Sequence, residues 1–253
     1  MGLIERGDAS IFSEGTGQGP AVLLTHGFAA TSAMWAPQVA ALSGGHRVIV
    51  WDIRGHGASR ADPDPSAYSE AASVADMAAV LDAEGVDRAV VGGLSLGGYL
   101  SLSFRLHHPG RVAGLILADT GPGFRRDEPR QQWNEDAQKT AESIERNGAD
   151  RRAAAMGVDP TAHRSTDGLV RAARGILPQH DGRVIESLAS IDVPTLVVVG
   201  AEDTPFLASA DYLAAKIPGA EKVVLEGAGH AANIDRPEAF NRAVADFLAD
   251  AGW

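Results

Sequence analysis

Short apolar runs alternate with segments of helical periodicity along most of the chain. Continuous apolar runs of this kind are typical of strands buried on both faces of a sheet. Between them, as in segment 69–84, apolar residues recur at the spacing of an amphipathic helix. This alternation predicts an α/β fold, in which a mostly parallel central sheet is flanked by helices on both faces. The predicted strands lie at 21–25, 47–52, 88–92, 112–118, 193–200 and 222–226.

Elements near the two ends complete the predicted order. Residues 3–14 alternate loosely around Gly7 and Asp8, which indicates an antiparallel hairpin, and a Gly-rich loop follows at 15–20. Apolar residues at helical spacing recur in three further segments of the chain. The helices predicted there cover 34–42, 206–216 and 237–249.

The pattern changes between residues 121 and 190, where polar, Ala-rich helical stretches replace the strands. We expect this segment to form a small helical cap, or lid, inserted into a core made of 1–120 and 191–253. The helical stretches lie near 128–147, 150–156 and 166–176. We expect some of the larger apolar residues of this segment to face a pocket and most of them to pack underneath; they are Phe124, Trp133, Met156, Ile176 and Leu177.

Composition narrows the classes of partner. The 253 residues carry a formal net charge of −11. This argues against nucleic acid or an anionic membrane surface as a partner, because both require a basic footprint. The chain has no cysteine, which excludes disulfides, thiolate zinc sites and a cysteine nucleophile. Charges near the N-terminus and the lack of a long apolar span lead us to expect a cytoplasmic protein with no membrane partner.

One serine stands in a strand–turn–helix context. Ser95 is the centre of a G-x-S-x-G pattern between Gly93 and Gly97, at the end of the run 88–92 and before a helical segment. Small residues on both sides allow a sharp turn that exposes the serine, and the N–H of Leu96 is an unpaired donor of the first helical turn. A developing oxyanion can bind there. A tight turn with a helix-capping serine is the simpler alternative.

Two further residues follow predicted strands at the same edge of the sheet. Asp203 follows the run 193–200, and His230 follows the run 222–226, 27 positions after the aspartate. That span fits one crossover helix and a return strand, so acid and base are expected side by side. In this arrangement His230 takes the proton of Ser95 while the carboxylate orients the imidazole. Asp119 also ends a predicted strand and is an alternative for the acid.

The remaining histidines do not indicate a metal or a cofactor. His26 and His56 lie in motif loops and are expected to hold loop geometry, while His163 and His180 have no partners at metal-ligand spacing. The chain lacks an H-E-x-x-H motif, a P-loop and a dinucleotide fingerprint. We therefore expect neither a metal nor a cofactor.

Four motifs together resemble the α/β-hydrolase superfamily, and the resemblance spans nearly the whole chain. They are the H-G-F stretch at 26–28, the D-x-R-G-x-G-x-S stretch at 52–59, the serine turn at 93–98 and the G-H pair at 229–230. The order Ser, Asp, His along the chain is that of the superfamily. Within it, the sequence is most similar to small bacterial esterase-like members, including 3-oxoadipate enol-lactone hydrolases.

The resemblance implies roles for individual residues. Ser95 corresponds to the nucleophile, His230 to the general base and then acid, and Asp203 to the orienting carboxylate. The backbone N–H groups of Phe28 and Leu96 correspond to the oxyanion hole. Candidates for the substrate pocket are Phe124, Trp133 and Phe206.

These roles imply a serine hydrolase that cleaves a small carboxylic ester or lactone through an acyl-enzyme. Three alternatives stay open at the level of sequence. Hydrolases of C–C bonds and cofactor-free perhydrolases of the same fold also use a serine, and some proteins of this fold are small-molecule receptors with little turnover. The acyl and alcohol preferences and the oligomeric state have no signature in the sequence.

Overall fold

The computed structural model of the protein describes residues 2–253. A nine-stranded sheet forms its centre, with strand order β1-β2-β4-β3-β6-β7-β8-β9 and β5 paired to β2. From β4 to β9 all neighbours are parallel, and the antiparallel pairs all involve β2. The strands are β1 Gly2–Glu5, β2 Ala9–Thr16, β3 Ala21–Thr25, β4 Arg47–Trp51, β5 Arg60–Ala61, β6 Ala89–Leu94, β7 Val112–Ala118, β8 Thr195–Gly200 and β9 Glu221–Leu225.

Helices connect the strands and cover the sheet. Short 3₁₀ turns precede or follow several of them. The helices are α1 Ala36–Leu42, α2 Glu70–Ala83, α3 Leu96–His107, α4 Asp127–Asn147, α5 Asp150–Ala155, α6 Thr166–Gly175, α7 Arg183–Ser187, α8 Thr204–Lys216, α9 Ala232–Asp235 and α10 Pro237–Asp250. None of the helices in residues 2–253 combines the length and the apolar character needed to cross a membrane.

The core has one apolar cluster on each face of the sheet. Along β3, Leu23 packs into one cluster and its neighbours Val22 and Leu24 into the other, because successive strand residues point to opposite faces. Residues of α2, α3 and α8 complete the first cluster, and residues of α1 and α10 complete the second. The predicted α/β fold with a mostly parallel sheet flanked by helices is therefore confirmed.

Several boundaries differ from the sequence prediction for local reasons. The helix predicted over 34–42 is split into a 3₁₀ turn, Ser32–Trp35, and α1, which has a proline in its first turn. Strand β8 begins only at Thr195, after Pro194. Strand β2 extends into the predicted loop, where Gly15 and Thr16 pair with β4. Pairing with a neighbouring strand thus overrides the weak local preference of a glycine.

The helical segment, residues 121–190, lies between β7 and β8 and contains α4, α5, α6 and α7. It holds no strand in the part of the chain that the structure describes. Helices α4 and α6 pack against each other through a small apolar cluster of their own. That cluster is formed by Ala141, Ile144, Ala149, Leu169, Val170 and Ala173.

The carboxyl ends of the parallel strands gather the residues that the sequence singled out. Phe28 follows β3, Ser95 follows β6, Asp119 follows β7, Asp203 follows β8 and His230 follows β9. In sheets of this kind, ligands bind in the crevice beyond these ends. The fold therefore directs the search for a site to this edge.

Candidate active site

Ser95 occupies a strained turn between β6 and α3. Its backbone has φ 55° and ψ −115°, a conformation that L-residues rarely adopt. The turn is held from both sides, because the Ser95 N–H donates to the carbonyl of Ala118 at 2.9 Å and the Thr120 hydroxyl donates to the carbonyl of Ser95 at 2.6 Å. The side chain of Ser95 faces a cavity under the helical segment.

Close backbone approach explains the two glycines of the turn. A Cβ added to Gly93 would lie 2.4 Å from the carbonyl carbon of Gly97. A Cβ added to Gly97 would lie 2.1 Å from the carbonyl oxygen of Thr25. Any side chain at either position would force β6, α3 and the end of β3 apart, so the G-x-S-x-G pattern is a packing requirement of this turn.

Asp203 and His230 form a hydrogen-bonded pair. Oδ2 of Asp203 lies 2.8 Å from Nδ1 of His230, and the aspartate is 5% exposed. The Phe206 ring packs beside the imidazole with 4.8 Å between ring centroids. His230 and Ser95 face the same cavity, although no hydrogen bond joins their side chains within residues 2–253.

Asp119 is buried beside this pair but binds backbone. Its Oδ1 accepts from the Gly200 N–H at 2.8 Å, and its Oδ2 accepts from the Ala232 N–H at 3.3 Å. Burial raises the pKa of Asp119 to about 7, and the nearby charge of Asp203 acts in the same direction. The carboxyl of Asp119 thus ties together the two segments that carry Asp203 and His230.

Two backbone N–H groups close to Ser95 lack acceptors. Leu96 is the first residue of α3, so its N–H has no partner in the helix, and Phe28 lies in the loop after β3. Within residues 2–253, neither N–H donates to a protein acceptor. Leu96 and Phe28 border the cavity together with Ser95.

The cavity has two branches that meet at Ser95. The narrow branch has a volume of about 90 Å³, and the wide branch about 360 Å³. Both contact Ser95, Trp133, Leu177 and Phe206. The narrow branch also contacts Leu96, Tyr99, Thr120, Phe124, Gln179 and Ser209; the wide branch also contacts Phe28, Asp136, Thr140, Arg152, Met156 and His230.

The larger apolar residues of segment 121–190 divide between the cavity wall and the core. Phe124, Trp133, Met156 and Leu177 line the cavity, and Ile176 is completely buried in the core. Met156 also belongs to a core cluster, and Leu177 packs against two of them. Three of these five residues therefore pack in the core, and two of the three also face the cavity.

The histidines near the first motif hold loops. His26 Nδ1–H donates to the Gly27 carbonyl at 2.7 Å, and its Nε2 accepts from the Ile53 N–H at 3.0 Å. Burial lowers the pKa of His26 to about 3, so the ring is neutral. His56 is fully buried beside it. Among the described residues, no group of His, Asp and Glu is arranged to hold a metal ion.

His163, from the helical segment, joins both motif loops. Its Nδ1 accepts from the Gly57 N–H at 3.2 Å, and its Nε2–H donates to the Ala29 carbonyl at 3.0 Å. Burial lowers the pKa of His163, which favours the neutral ring that these two bonds need. The residue therefore connects the helical segment to the loop that carries Phe28.

The D-x-R-G-x-G-x-S stretch is a structural brace. Asp52 accepts from the N–H groups of Ser32 and Ala58 at 2.7 and 2.8 Å. Arg54 is buried and forms a two-point ion pair with buried Asp76. Burial opposes the charge of Arg54, but hydrogen bonds to Asp76 and Asp8 outweigh it and raise the pKa of the guanidinium. These bonds connect the motif to neighbouring segments in the N-terminal part of the core, and none of its residues lines the cavity.

Some cavity residues carry no recognisable sequence signal. Gln179 and Arg152 lie in the helical segment, which has no motif, and Tyr99 and Thr120 are adjacent to predicted elements but belong to no pattern. Only the position of Tyr99, four residues after Ser95 on the same helix face, hinted at a place near the serine.

A strained serine between strand and helix, at the edge where an aspartate and a histidine pair, defines a class of hydrolase folds. The chain matches the model of the alpha/beta hydrolase family over residues 22–243, and it belongs to that family. Its membership, together with the relatives described next, makes it a hydrolase.

Similar proteins include enzymes of several named activities. A putative carbamate hydrolase RutD of Variovorax paradoxus (strain S110) is 30% identical, across 93% of this chain and 94% of that relative. The 3-oxoadipate enol-lactonase 1 of Acinetobacter baylyi is 28% identical, across 94% of this chain and 92% of the relative. The solved structure of a thermophilic esterase from Thermogutta terrifontis has a TM-score of 0.83 at 29% identity, covering 96% of this chain and 94% of that one.

Proposed function

We propose that this chain is a serine hydrolase that cleaves small carboxylic esters or lactones through an acyl-enzyme on Ser95. One observation carries the proposal: the Asp203–His230 pair, at 2.8 Å, opens onto the same cavity as the strained Ser95. The relatives named as an enol-lactonase and an esterase support the substrate class.

In the first half of the reaction, Ser95 Oγ attacks the substrate carbonyl while His230 Nε2 takes the hydroxyl proton. The Nδ1–H of His230 donates to Asp203, so the free Nε2 is the basic atom. The charge of Asp203 stabilises the imidazolium that forms. The imidazolium then protonates the leaving alcohol, or the ring oxygen of a lactone, and the acyl group stays on Ser95.

The N–H groups of Phe28 and Leu96 are proposed to bind the oxyanion of the tetrahedral intermediate. Neither has a protein acceptor within residues 2–253, and both border the cavity with Ser95. A donor of this kind contributes about 10²–10³ in turnover. Leu96 adds the positive end of the α3 dipole.

In the second half, a water molecule attacks the acyl carbon while His230 removes its proton. The proton then returns to Ser95 Oγ, and the free acid leaves. The overall balance is one water consumed and one ester bond cleaved, with no redox step.

We also propose that residues 121–190 act as the cap of a core formed by 1–120 and 191–253. Cap residues Phe124 and Trp133 and core residue Phe206 line the cavity, which makes its wall mainly apolar. Two branches that meet at the nucleophile fit the two arms of an ester, one on each side of the carbonyl.

The proposal is tested with p-nitrophenyl acetate and butyrate, a set of lactones and a set of carbamates. We expect a burst of p-nitrophenol equal to the enzyme concentration, because acylation by an activated ester outpaces deacylation. Ser95→Ala is expected to remove the burst and lower kcat by about 10⁴ or more. The matched control is Ser190→Ala, an exposed serine outside the cavity.

Unchanged hydrolysis by a folded Ser95→Ala variant would overturn the serine mechanism. Tight binding of a ligand with no turnover on any substrate set would instead support a receptor. Faster turnover of carbamates than of esters would shift the assigned substrate class toward the activity for which the RutD relative is named.

A further inference from the structure

The proposed general base faces one branch of the cavity. Of the residues in 2–253, Ser95 lines both branches, whereas His230 lines the wide branch and not the narrow one. The proton that His230 takes from Ser95 is passed on to the leaving oxygen, so that oxygen must come within hydrogen-bond reach of the imidazole. The position of His230 therefore places the leaving oxygen on the side of the wide branch.

The two branches differ in how large a group they can hold. The narrow branch has a volume of about 90 Å³ and the wide branch about 360 Å³. A cavity of about 150 Å³ holds one benzene ring. On that scale, the narrow branch has room for about four non-hydrogen atoms and the wide branch for about fourteen.

The two branches also differ in their access to the surface. Each residue of 2–253 that lines the narrow branch is buried or half-buried. The wide branch, in contrast, is bordered by the exposed side chains of Asp136 and Arg152. A long group in the wide branch can therefore extend toward solvent, whereas a group in the narrow branch is limited by the surrounding walls.

Hydrogen bonds and close packing hold the walls of the narrow branch together. Trp133 Nε1–H donates to the carbonyl of Leu177 at 2.8 Å. The Gln179 N–H donates to Oδ1 of Asn134 at 2.8 Å, and Nδ2 of Asn134 donates back to the Gln179 carbonyl at 2.9 Å. The Gln179 amide packs against Gly123, where a Cβ would lie 2.5 Å from Oε1. Closely packed walls of this kind resist widening for a longer chain.

We propose that the narrow branch binds the acyl arm of an ester and the wide branch binds its alcohol arm. The preferred esters then have a short acyl group, with up to about four carbons beyond the carbonyl, and a longer alcohol. When the bond from the carbonyl carbon to the alcohol oxygen breaks, that oxygen takes the proton of His230 and the alcohol leaves through the wide branch. The acyl group stays on Ser95, in the narrow branch.

This inference rests on the proposed function, because the two arms are defined relative to the carbonyl attacked by Ser95. Isomeric esters that carry the same chain on opposite sides of that carbonyl test it. The pairs are butyl acetate with ethyl butanoate, pentyl acetate with ethyl pentanoate, and hexyl acetate with ethyl hexanoate. Each pair shares one composition, so its members differ little in hydrophobicity. kcat/KM is measured by pH-stat and divided by the rate constant of alkaline hydrolysis, which removes differences in intrinsic reactivity.

We expect the butyl pair to agree within about threefold, because both chains fit either branch. Hexyl acetate is expected to be favoured over ethyl hexanoate by about tenfold or more, since methylenes that do not fit a pocket cost this much. The pentyl pair should lie between these two values. The preference thus appears only when the acyl chain exceeds the volume of the narrow branch.

Two truncations separate the branches. Phe124→Ala enlarges the narrow branch and is expected to lower the preference for hexyl acetate by about fivefold or more, through a higher kcat/KM for ethyl hexanoate. Met156→Ala, a matched truncation in the wide branch, is expected to leave the ratio of ethyl butanoate to ethyl hexanoate within about twofold. Each value is a ratio measured on one preparation, so a loss of folded protein cancels.

Equal kcat/KM within the hexyl pair, or a preference for ethyl hexanoate, would overturn the assignment of the arms and leave the proposed function intact. A length limit on the acyl group that Phe124→Ala leaves unchanged would also overturn it. If none of the esters is hydrolysed, the proposed function itself fails, and the assignment fails with it.

Discussion

Asp203 Oδ2 lies 2.8 Å from Nδ1 of His230, at the ends of the adjacent parallel strands β8 and β9. Strand pairing places Gly200 next to Leu225, and three to five residues of loop bring the two side chains into contact. The neighbouring carboxyl of Asp119 bonds to backbone instead. The two candidate acids thus differ in their hydrogen-bond partners, and substitution of each is expected to have a different effect.

For Asp203, we expect Asp203→Asn to lower kcat by about 10³–10⁴, because an amide does not stabilise the imidazolium or fix its tautomer. The measurement is steady-state hydrolysis of p-nitrophenyl butyrate. The matched control is Glu202→Gln, which neutralises the adjacent exposed carboxylate and is expected to change kcat less than twofold. Full activity in Asp203→Asn would assign the acid elsewhere.

For Asp119, we expect an effect on the pH dependence of stability. Burial raises the pKa of this carboxyl to about 7, so the folded state binds the proton more tightly than the unfolded state. Its contribution to stability is present below pH 4 and is lost as pH rises toward 7. The free energy of unfolding should therefore fall more steeply over this range in the parent than in Asp119→Asn, as measured by urea titration. Parallel pH profiles would contradict a raised pKa.

We expect the protein to lose stability when the buried ion pair between Arg54 and Asp76 is broken. Arg54→Leu removes the two-point partner of the Asp76 carboxylate, which is fully buried, and leaves it only the 3.2 Å contact with Arg6. We expect a cost of about 3 kcal/mol in the free energy of unfolding. The double variant Arg54→Leu/Asp76→Leu should recover most of this loss, since both buried charges are removed and their other partners, Arg6 and Asp8, are partly exposed. A single variant that costs less than about 1 kcal/mol would show that the pair is dispensable.

We expect substitution of His163 to change turnover, although this residue does not line the cavity. It bonds to Gly57 and to the Ala29 carbonyl, next to the proposed oxyanion donor Phe28. We expect His163→Phe to lower kcat by about tenfold with little change in KM, because a displaced donor weakens binding of the transition state more than of the substrate. His180→Phe, an exposed histidine of the same segment, is the control. A rise in KM alone would point to a role in substrate binding.

Motifs and periodicity made the core of this protein predictable. Buried parallel strands are continuous apolar runs, and each of the turns after β6, β8 and β9 carries a residue type with few alternatives. The spacing of Asp203 and His230 reflects one crossover helix, α8, and one return strand. Such features are local, or depend on a single strand pairing, and this is why sequence alone predicts them.

The helical segment was predictable as helices but not as a cavity wall. Whether Trp133 or Ile176 faces the cavity depends on how α4 and α6 meet, and that contact joins residues about thirty positions apart. The position of Gln179 depends on a hydrogen bond to Asn134 and on close packing against Gly123, and each of these residues is more than forty positions away. No periodicity encodes contacts of this kind, so the residues that would select the substrate emerge only from the folded structure.

Ser95 is the proposed site of the covalent acyl-enzyme. The most direct test is to treat the protein with an alkyl fluorophosphonate and to map the adduct by mass spectrometry of the intact chain and of its peptides. We expect one adduct per chain, on Ser95, with loss of ester hydrolysis in proportion to labelling, and no adduct on Ser95→Ala. Labelling at another residue, or full activity of a chain labelled at Ser95, would contradict an acyl-enzyme on Ser95.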